Sequence, residues 1–281
     1  MDIINSVSEM QHRCLTERQA GRTISFVPTM GFLHQGHLSL LEEGRKQGDF
    51  LVLSIFVNPT QFGQGEDFED YPRDLKQDCS YAEQAGVDIV FAPDAKQMYP
   101  SGYATYVDVE RLTESLCGAS RPGHFRGVCT VVNKLFNIVQ PHVSLFGCKD
   151  FQQLAVIRQM VIDLNMPVEI VGMPIVREAD GLAMSSRNVY LTPEQRQQGL
   201  TLSAVLRQSA AQAGGGERNA QALIDNARQQ IEALPEARID YLKICHQNSL
   251  QDVSEVDENA VMLLAVFFGQ TRLIDNLYLL Q

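Results

Sequence analysis

Residues 24–41 read ISFVPTMGFLHQGHLSLL, and this stretch joins a strand pattern to a helix pattern. The apolar run ISFVPT is typical of a strand, whereas the residues from Leu38 onward have the apolar spacing of a helix. His34 and His37 lie at the junction with Gly36 between them. A helix N-terminus presents unpaired N–H groups and a partial positive charge, so this junction can bind an anion such as phosphate. Two surface histidines or part of a zinc site are the alternative interpretations.

The alternation of strand and helix continues to about residue 176. After a first strand at 23–29, strands are predicted at 50–58, 87–93, 143–147 and 168–176, and helices at 38–48, 74–86, 127–140 and 150–165. The first 22 residues lack the pattern of a signal peptide and are interpreted as an amphipathic helix. Such alternation predicts a doubly wound parallel sheet, in which ligands bind beyond the carboxyl ends of the strands.

The pattern changes after about residue 190, where Thr192 and Pro193 form a helix-start signal. A helix is predicted at 193–213, and after a Gly triplet a second helix runs to about residue 234. Short strands follow, one at 238–245 and a pair within 260–280. We therefore predict an α/β fold with a Rossmann-like domain at 1–176 and a smaller α+β domain at 177–281.

Composition and charge exclude several classes of protein. The 281 residues carry a formal net charge of −11, which disfavours a large nucleic-acid interface. The longest apolar runs are far shorter than a membrane span requires, so no membrane partner is expected. Six scattered cysteines without a C-x-x-C pair favour a reduced, cytoplasmic protein.

A second polar loop, AMSSRN at 183–188, follows the last predicted parallel strand. Its hydroxyls and its guanidinium suit phosphate oxygens, although a solvated interdomain linker is the alternative interpretation. An H-x-G-H element after the first strand together with this loop resembles the HIGH and KMSKS elements of the class I adenylate-forming superfamily. In that comparison Arg187 takes the terminal cationic position.

Longer motifs sharpen the resemblance. The chain resembles the pantoate–β-alanine ligase family in six motifs and in their order along the sequence. These motifs are VPTMGFLHQGHLSLL, SIFVNPTQF, YPRDLKQD, SRPGHFRGV, FGCKDFQQL and DGLAMSSRN. The resemblance covers nearly the whole chain. One departure is Cys148, at a position where the family usually has glutamate.

The resemblance implies an ATP site and a set of catalytic groups. The implied catalytic residues are His34, His37 as proton donor, Lys149 and Arg187. The implied ATP-binding residues are Met30, Gly31, Phe32, Leu33, His34, Gln35, Gly36 and His37; Gly147, Cys148, Lys149 and Asp150; Val176; and Met184, Ser185, Ser186 and Arg187. Within this set the histidines, Lys149 and the Ser-Ser-Arg run would contact phosphates, Gly147 and Asp150 the ribose, and Val176 and Met184 the adenine. Proximity to phosphate would favour a protonated histidine.

The resemblance also implies the remaining ligands. Gln61 and Gln153 would bind pantoate, Gln61 would also meet β-alanine, and Asp78 would face Mg²⁺. The implied reaction is an ATP-dependent condensation of pantoate with β-alanine through a pantoyl-adenylate, and the implied assembly is a homodimer.

Several residues have a structural interpretation beside the functional one. Arg121 could form a salt bridge as readily as a ligand contact, and one of the adjacent Gln152 and Gln153 should face solvent. The acidic run at 65–70 favours a mobile loop over a metal site, and a lid would protect an acyl-adenylate from water. Asn58 and Tyr71 are further candidates for ligand contact.

Two other classes of function remain open at this point. A nucleotidylyltransferase shares the sheet and the H-x-G-H element but needs extra cations for a second phosphate, whereas the loop after the second strand offers Asn58 and Gln61. A non-catalytic nucleotide-binding domain would not require a full set of His, Lys, Ser and Arg groups.

Overall fold

The computed structural model describes residues 1–280. The strands are β1 (Asp2–Ile4), β2 (Ile24–Thr29), β3 (Phe50–Ile55), β4 (Ile89–Phe91), β5 (Val143–Gly147), β6 (Glu169–Met173), β7 (Ala237–His246), β8 (Ala260–Phe268) and β9 (Thr271–Tyr278). The helices are α1 (Val7–Gln19), α2 (Gln35–Gln47), α3 (Leu75–Gln84), α4 (Ala95–Met98), α5 (Cys117–Ser120), α6 (His124–Val139), α7 (Phe151–Asp163), α8 (Pro193–Gly214) and α9 (Ala220–Glu232). Short 3₁₀ turns span Pro59–Gln61, Cys148–Asp150 and Ser186–Tyr190.

The chain forms two compact units. The first comprises Met1–Cys148 and Gln152–Pro174, and the second comprises Lys149–Phe151 and the chain from Ile175 onward. The predicted domain boundary lies two residues later in the chain, after residue 176. The prediction also assigns residues 149–151 to the first domain rather than to the second. That these units are independent domains stays a prediction.

The first unit contains the predicted parallel sheet. Its six strands lie in the order β1-β4-β3-β2-β5-β6, and every pair is parallel. Chain order runs one way from β2 to β3 and β4, and the other way from β5 to β6, so the topological switch lies between β2 and β5. Ligands in such sheets bind beyond the carboxyl ends of the strands at this switch. The fold therefore favours a site at Met30–His37 and Gly147.

Buried apolar residues hold α2 and the central strands together. Leu40 and Leu41 of α2 pack in one cluster with strand residues that include Leu51, Leu53 and Leu145. Gly44 lets the helix approach the sheet, because a Cβ there would lie 2.9 Å from a methyl carbon of Leu51. This packing fixes the N-terminus of α2 at the sheet edge.

The first 22 residues are not one helix, and that part of the sequence prediction is wrong. Asp2–Ile4 forms β1, which pairs in parallel with Ile89–Phe91 at the edge of the sheet, and α1 starts only at Val7. Ser6 explains the break, since its side chain accepts a hydrogen bond from the amide of Glu9 and caps the helix.

The second unit combines an antiparallel sheet with two helices, as predicted for a smaller α+β part of the chain. Its strands lie in the order β7-β8-β9, and β8 is buried along nearly its whole length. Helices α8 and α9 pack on this sheet around one apolar cluster. Thr192 is the N-cap of α8 as predicted, and its partner in a reciprocal capping box is Gln195.

Within residues 1–280, none of the helices has the length and hydropathy that crossing a membrane requires.

Candidate active site

The loop after β2 is held by its own backbone and by the next strand. Thr29 donates a hydrogen bond to the carbonyl of Ser54 and accepts one from the amide of Gly31. Gly31 has φ +84, and a Cβ there would lie 2.9 Å from Asp78 Oδ2. Glycine is needed at this position because it tolerates a positive φ and because it has no Cβ that would collide with the carboxylate.

Asp78, the predicted metal ligand, supports this loop from α3. Its carboxylate accepts hydrogen bonds from the amides of Phe32 (2.9 Å, to Oδ2) and Leu33 (2.7 Å, to Oδ1). The side chain is buried, and burial raises its pKa although the two backbone amides act in the opposite direction. Phe32 has φ 52, so the carboxylate stabilises a conformation that non-glycine residues adopt rarely. The assignment of Asp78 to Mg²⁺ stays a prediction.

His34 and His37 cap helix α2. His34 is the N-cap, and its Nδ1 accepts from the amide of Gly36 at 3.1 Å. His37 is the third helical residue, and its Nδ1 accepts from the amide of His34 at 3.2 Å. The two rings lie with centroids 4.1 Å apart. A capping box normally uses Ser or Thr with Glu or Gln; here two imidazoles form it, which places both rings at the positive end of the helix.

These bonds determine which ring nitrogens carry protons. A backbone N–H can donate only to an unprotonated nitrogen, so both Nδ1 atoms must be acceptors and each neutral ring carries its proton on Nε2. The expectation of a protonated histidine beside phosphate stays a prediction. Donation to a phosphate oxygen needs only the neutral Nε2–H.

The second loop carries Gln61 on the 3₁₀ turn after β3. Asn58 begins this turn, and its amide donates to Gln61 Oε1 and to the carbonyl of Gly127, each at 3.1 Å. Gln61 Nε2 donates to Met30 Sδ at 3.1 Å, which brings two predicted site residues together. Gly127 of α6 has no room for a side chain, because a Cβ would lie 2.3 Å from the carbonyl oxygen of Thr60.

Arg121 forms the salt bridge that was one of its two interpretations. Its guanidinium donates to both carboxylate oxygens of Glu66, at 2.7 and 2.6 Å. Burial raises the pKa of Glu66, but the hydrogen bonds and charge of Arg121 outweigh this and leave it below its usual value. His124 Nδ1 lies 2.8 Å from the carbonyl oxygen of Gln61, so this cluster ties the acidic loop to the turn that carries Gln61.

The adjacent glutamines on α7 differ in their surroundings. Gln152 is buried and bonds to backbone groups of Leu112, Ser115 and Cys117. Gln153 is half-buried. Gln152 therefore has a packing role, which leaves Gln153 as the ligand candidate of the pair.

Gly147 ends β5 and Cys148 follows it, and β5 lies directly beside β2 at the topological switch. Burial raises the pKa of the Cys148 thiol. A neutral thiol therefore stands where the resemblance implies a carboxylate. Packing around it is close, since a Cβ at Gly172 would lie 3.1 Å from Cys148 Sγ.

In the second unit, strand β9 anchors two of the predicted ATP-binding segments. Asn276 donates to the carbonyl of Lys149 at 3.0 Å. The neighbouring Asp275 accepts two hydrogen bonds from Arg177, at 2.6 and 2.9 Å. Asp275 and Asn276 are polar, yet both are buried, and their strand contributes to an apolar cluster. Asp150 beside Lys149 is exposed.

The loop from Val176 to Asn188 folds back on itself. Met184 donates through its amide to the carbonyl of Val176 at 3.0 Å, which joins the two predicted adenine contacts. Ser185 caps the 3₁₀ turn by accepting from the amide of Arg187. Asn188 is buried and donates to Glu178 at 2.6 Å, which in turn accepts from Arg196 at 2.6 Å. Ser186 is buried in this turn, and Arg187 is half-buried.

Sequence patterns missed the supporting residues. Arg177, Asp275 and Asn276 lie outside the quoted motifs, and Asn188 ends the AMSSRN loop without an assigned role. The only signal is the pair Asp275-Asn276, two polar residues inside the otherwise apolar stretch RLIDNLYLL.

The family can now be assigned. A family model described as pantoate-beta-alanine ligase matches residues 2–278. The chain belongs to the pantoate-beta-alanine ligase family. It is 61% identical over 281 residues to a pantothenate synthetase of Syntrophotalea carbinolica, with 100% of this chain and 99% of the relative covered. A pantothenate synthetase of Geotalea uraniireducens is 59% identical over 276 residues, with 98% of both chains covered.

Solved structures of the pantoate-beta-alanine ligase family share the fold. A pantothenate synthetase from Thermus thermophilus matches with a TM-score of 0.95 at 47% identity and covers 100% of both chains. A pantoate-beta-alanine ligase from Francisella tularensis, complexed with beta-gamma ATP and beta-alanine, matches with a TM-score of 0.82 at 32% identity, covering 99% of this chain and 98% of that one. The expected fold class and the expected enzyme class, a ligase, are both confirmed.

Proposed function

We propose that the chain joins (R)-pantoate to β-alanine with ATP through a pantoyl-adenylate, releasing AMP and pyrophosphate. A carboxylate oxygen of pantoate attacks the α-phosphorus, and the bond from that phosphorus to the pyrophosphate oxygen breaks. The amine of β-alanine then attacks the acyl carbon and loses a proton, and AMP leaves with the carboxylate oxygen that had attacked. No enzyme nucleophile is needed, so the protein acts by orienting reactants and by stabilising charge on phosphate oxygens.

The observation that carries the proposal is the histidine capping box at the N-terminus of α2. It places two imidazoles together at the positive end of a helix, beyond a strand at the topological switch of the sheet. In the proposal His34 and His37 donate hydrogen bonds from Nε2 to phosphate oxygens, and His37 stabilises the charge that develops on the leaving oxygen.

The other predicted residues have proposed roles that their settings support. Lys149, Ser185, Ser186 and Arg187 contact phosphates, Gly147 and Asp150 contact ribose, and Val176 and Met184 contact adenine. Gln61 and Gln153 bind pantoate, and Gln61 also meets β-alanine. Among residues 1–280, the acceptor of the Gln61 Nε2–H₂ group is the sulfur of Met30, so a substrate oxygen would be a better partner.

Mg²⁺ is proposed as the ion that neutralises the phosphates. Within residues 1–280, no group of three or more His, Cys, Asp or Glu side chains could hold a metal ion. Mg²⁺ does not require such a group, because it is commonly bound by one or two carboxylates together with substrate phosphates and water. A homodimer, a cytoplasmic location and the absence of nucleic-acid and membrane partners remain predictions.

An omission experiment tests the reaction. We expect AMP and pyrophosphate in equal amounts from ATP, Mg²⁺, (R)-pantoate and β-alanine together. Without β-alanine, pyrophosphate release should stop near one equivalent per active site, because the adenylate stays bound. Without pantoate, no pyrophosphate should form. Steady AMP formation in the absence of either pantoate or β-alanine would contradict the proposal, and transfer of the nucleotide to another phosphate ester would favour a nucleotidylyltransferase.

A further inference from the structure

The amide of Asn58 has only one possible orientation. Its Oδ1 accepts from the backbone amide of Thr60 (3.3 Å), which can only donate. Its Nδ2 donates to the carbonyl of Gly127 (3.1 Å), which can only accept. Since Asn58 is 1% exposed, a rotated amide would bury one unpaired donor and one unpaired acceptor.

Two hydroxyl groups reinforce this orientation, and the closer one comes from Tyr99. The Tyr99 hydroxyl donates to Asn58 Oδ1 at 2.8 Å, and Thr60 Oγ1 donates to the same oxygen at 2.9 Å. Tyr99 follows directly on helix α4, and its ring packs on Phe56 and Tyr103 at centroid distances of 6.3 and 5.1 Å. Burial raises the pKa of Tyr99 to about 12, so its hydroxyl remains a donor near neutral pH.

The orientation of Asn58 sets the orientation of Gln61. Asn58 Nδ2 donates to Gln61 Oε1 at 3.1 Å, so the oxygen of the Gln61 amide must point toward Asn58. The –NH₂ end then points toward Met30, where its acceptor is a thioether sulfur. A thioether is a weak acceptor, which leaves the donor capacity of Gln61 for a stronger partner.

We propose that Tyr99 is a positioning residue for substrate specificity, which acts through Asn58 to present the –NH₂ end of Gln61 to an acceptor oxygen of the hydroxy-acid substrate. The inference rests on the proposed function, in which Gln61 binds pantoate. Tyr99 lies 41 residues from Asn58 in sequence, and its hydroxyl touches Asn58 and Thr60 rather than Gln61. Its effect is therefore on the direction of the Gln61 amide and not on a direct contact.

Steady-state kinetics of Tyr99→Phe test the inference, since this change removes one hydroxyl and keeps the ring packing. We expect the KM for pantoate to rise about 3- to 10-fold, the effect of losing one buried hydrogen bond, while the KM for ATP and kcat change less than about twofold. The matched control is Tyr103→Phe, which removes the same atom from the adjacent ring. The Tyr103 hydroxyl is not among the partners of the Asn58 amide in residues 1–280, so the KM of the Tyr103→Phe variant for pantoate should stay at the wild-type value.

A double-mutant comparison separates positioning from packing. In a Gln61→Ala background, which already has a raised KM for pantoate, Tyr99→Phe should add nothing further, because its effect passes through the missing amide. If Tyr99→Phe does not fold, Thr60→Val removes the other hydroxyl from the same oxygen and should raise the KM for pantoate in the same way. The inference would be overturned if the folded Tyr99→Phe variant kept the wild-type KM for pantoate, or if its KM for ATP rose as much as its KM for pantoate. It would also be overturned if Tyr99→Phe raised the KM for pantoate as much in the Gln61→Ala background as in the wild type. Absence of pantoate-dependent pyrophosphate release in the wild type would instead refute the proposed function.

Discussion

His37→Ala should slow pantoate-dependent pyrophosphate release by about 10²- to 10³-fold, the usual loss when one donor to a developing charge is removed. This histidine has one observed role and one proposed role. Its Nδ1 accepts from the amide of His34 and stabilises the start of α2, and its Nε2–H is the proposed donor to phosphate. Rapid-quench measurement of the first turnover reports the adenylation step without interference from product release.

A second substitution separates these two functions. Glutamine is a preferred residue at the third helical position of a capping box, so His37→Gln should retain the helix cap. We expect this variant to unfold at a temperature near that of the wild type and still to adenylate pantoate slowly. His12→Ala, a histidine on the exposed face of α1, is the control for the alanine change and should have no effect. Full activity in His37→Gln would show that the histidine matters only as a cap, and near-normal release in His37→Ala would remove it from the mechanism.

Asp78→Asn should lower both stability and the rate of adenylation. The carboxylate accepts from two buried or half-buried amides, whereas an asparagine offers one oxygen and turns an –NH₂ group toward the other amide. Leaving one buried donor unsatisfied costs about 1–3 kcal/mol of unfolding free energy. Since the loop that carries His34 then shifts, we expect pyrophosphate release to fall roughly 10- to 100-fold, the scale that a misplacement of about 1 Å can produce. Urea unfolding and single-turnover kinetics measure the two effects.

The same variant distinguishes loop support from metal binding. If Asp78 supports the loop, the Mg²⁺ concentration that gives half-maximal rate should be the same in Asp78→Asn and in the wild type. Asp74→Asn is the matched control, because Asp74 is an exposed N-cap of α3 and asparagine caps a helix equally well. A shifted Mg²⁺ dependence with unchanged stability would contradict loop support and would favour the assignment of Asp78 to the metal.

Local patterns in the sequence predict much of this molecule. The strand–turn–helix junction at residues 24–41 predicts a strand ending at Thr29, which is confirmed, and a helix from residue 38, which in fact starts three residues earlier at Gln35. The alternation of strands and helices predicts that the sheet is parallel, and the pairs of β2 with β3 and β5 are parallel. The N-terminal strand escaped notice because three residues are too few to display a period, and only pairing with β4 makes them a strand.

Contacts between residues distant in sequence could not be predicted. The carboxylate of Asp78 meets the amide of Leu33 across 45 positions, and Asn276 meets Lys149 across 127. A sequence shows which side chains can accept or donate hydrogen bonds, but the fold decides which partners they meet. The choice of Nδ1 as the acceptor nitrogen in His34 and His37 is of this kind, because it depends on two backbone amides whose direction is set only when α2 forms.

The most direct test of the proposed mechanism follows an oxygen atom. With pantoate labelled by ¹⁸O in both carboxylate oxygens, attack on the α-phosphorus places one labelled oxygen between phosphorus and carbon. When β-alanine displaces AMP, that oxygen leaves with the phosphate. Mass spectrometry of the products should therefore find one ¹⁸O in each AMP, one in each amide carbonyl of pantothenate and none in pyrophosphate. Unlabelled AMP, or label in pyrophosphate, would contradict a pantoyl-adenylate intermediate.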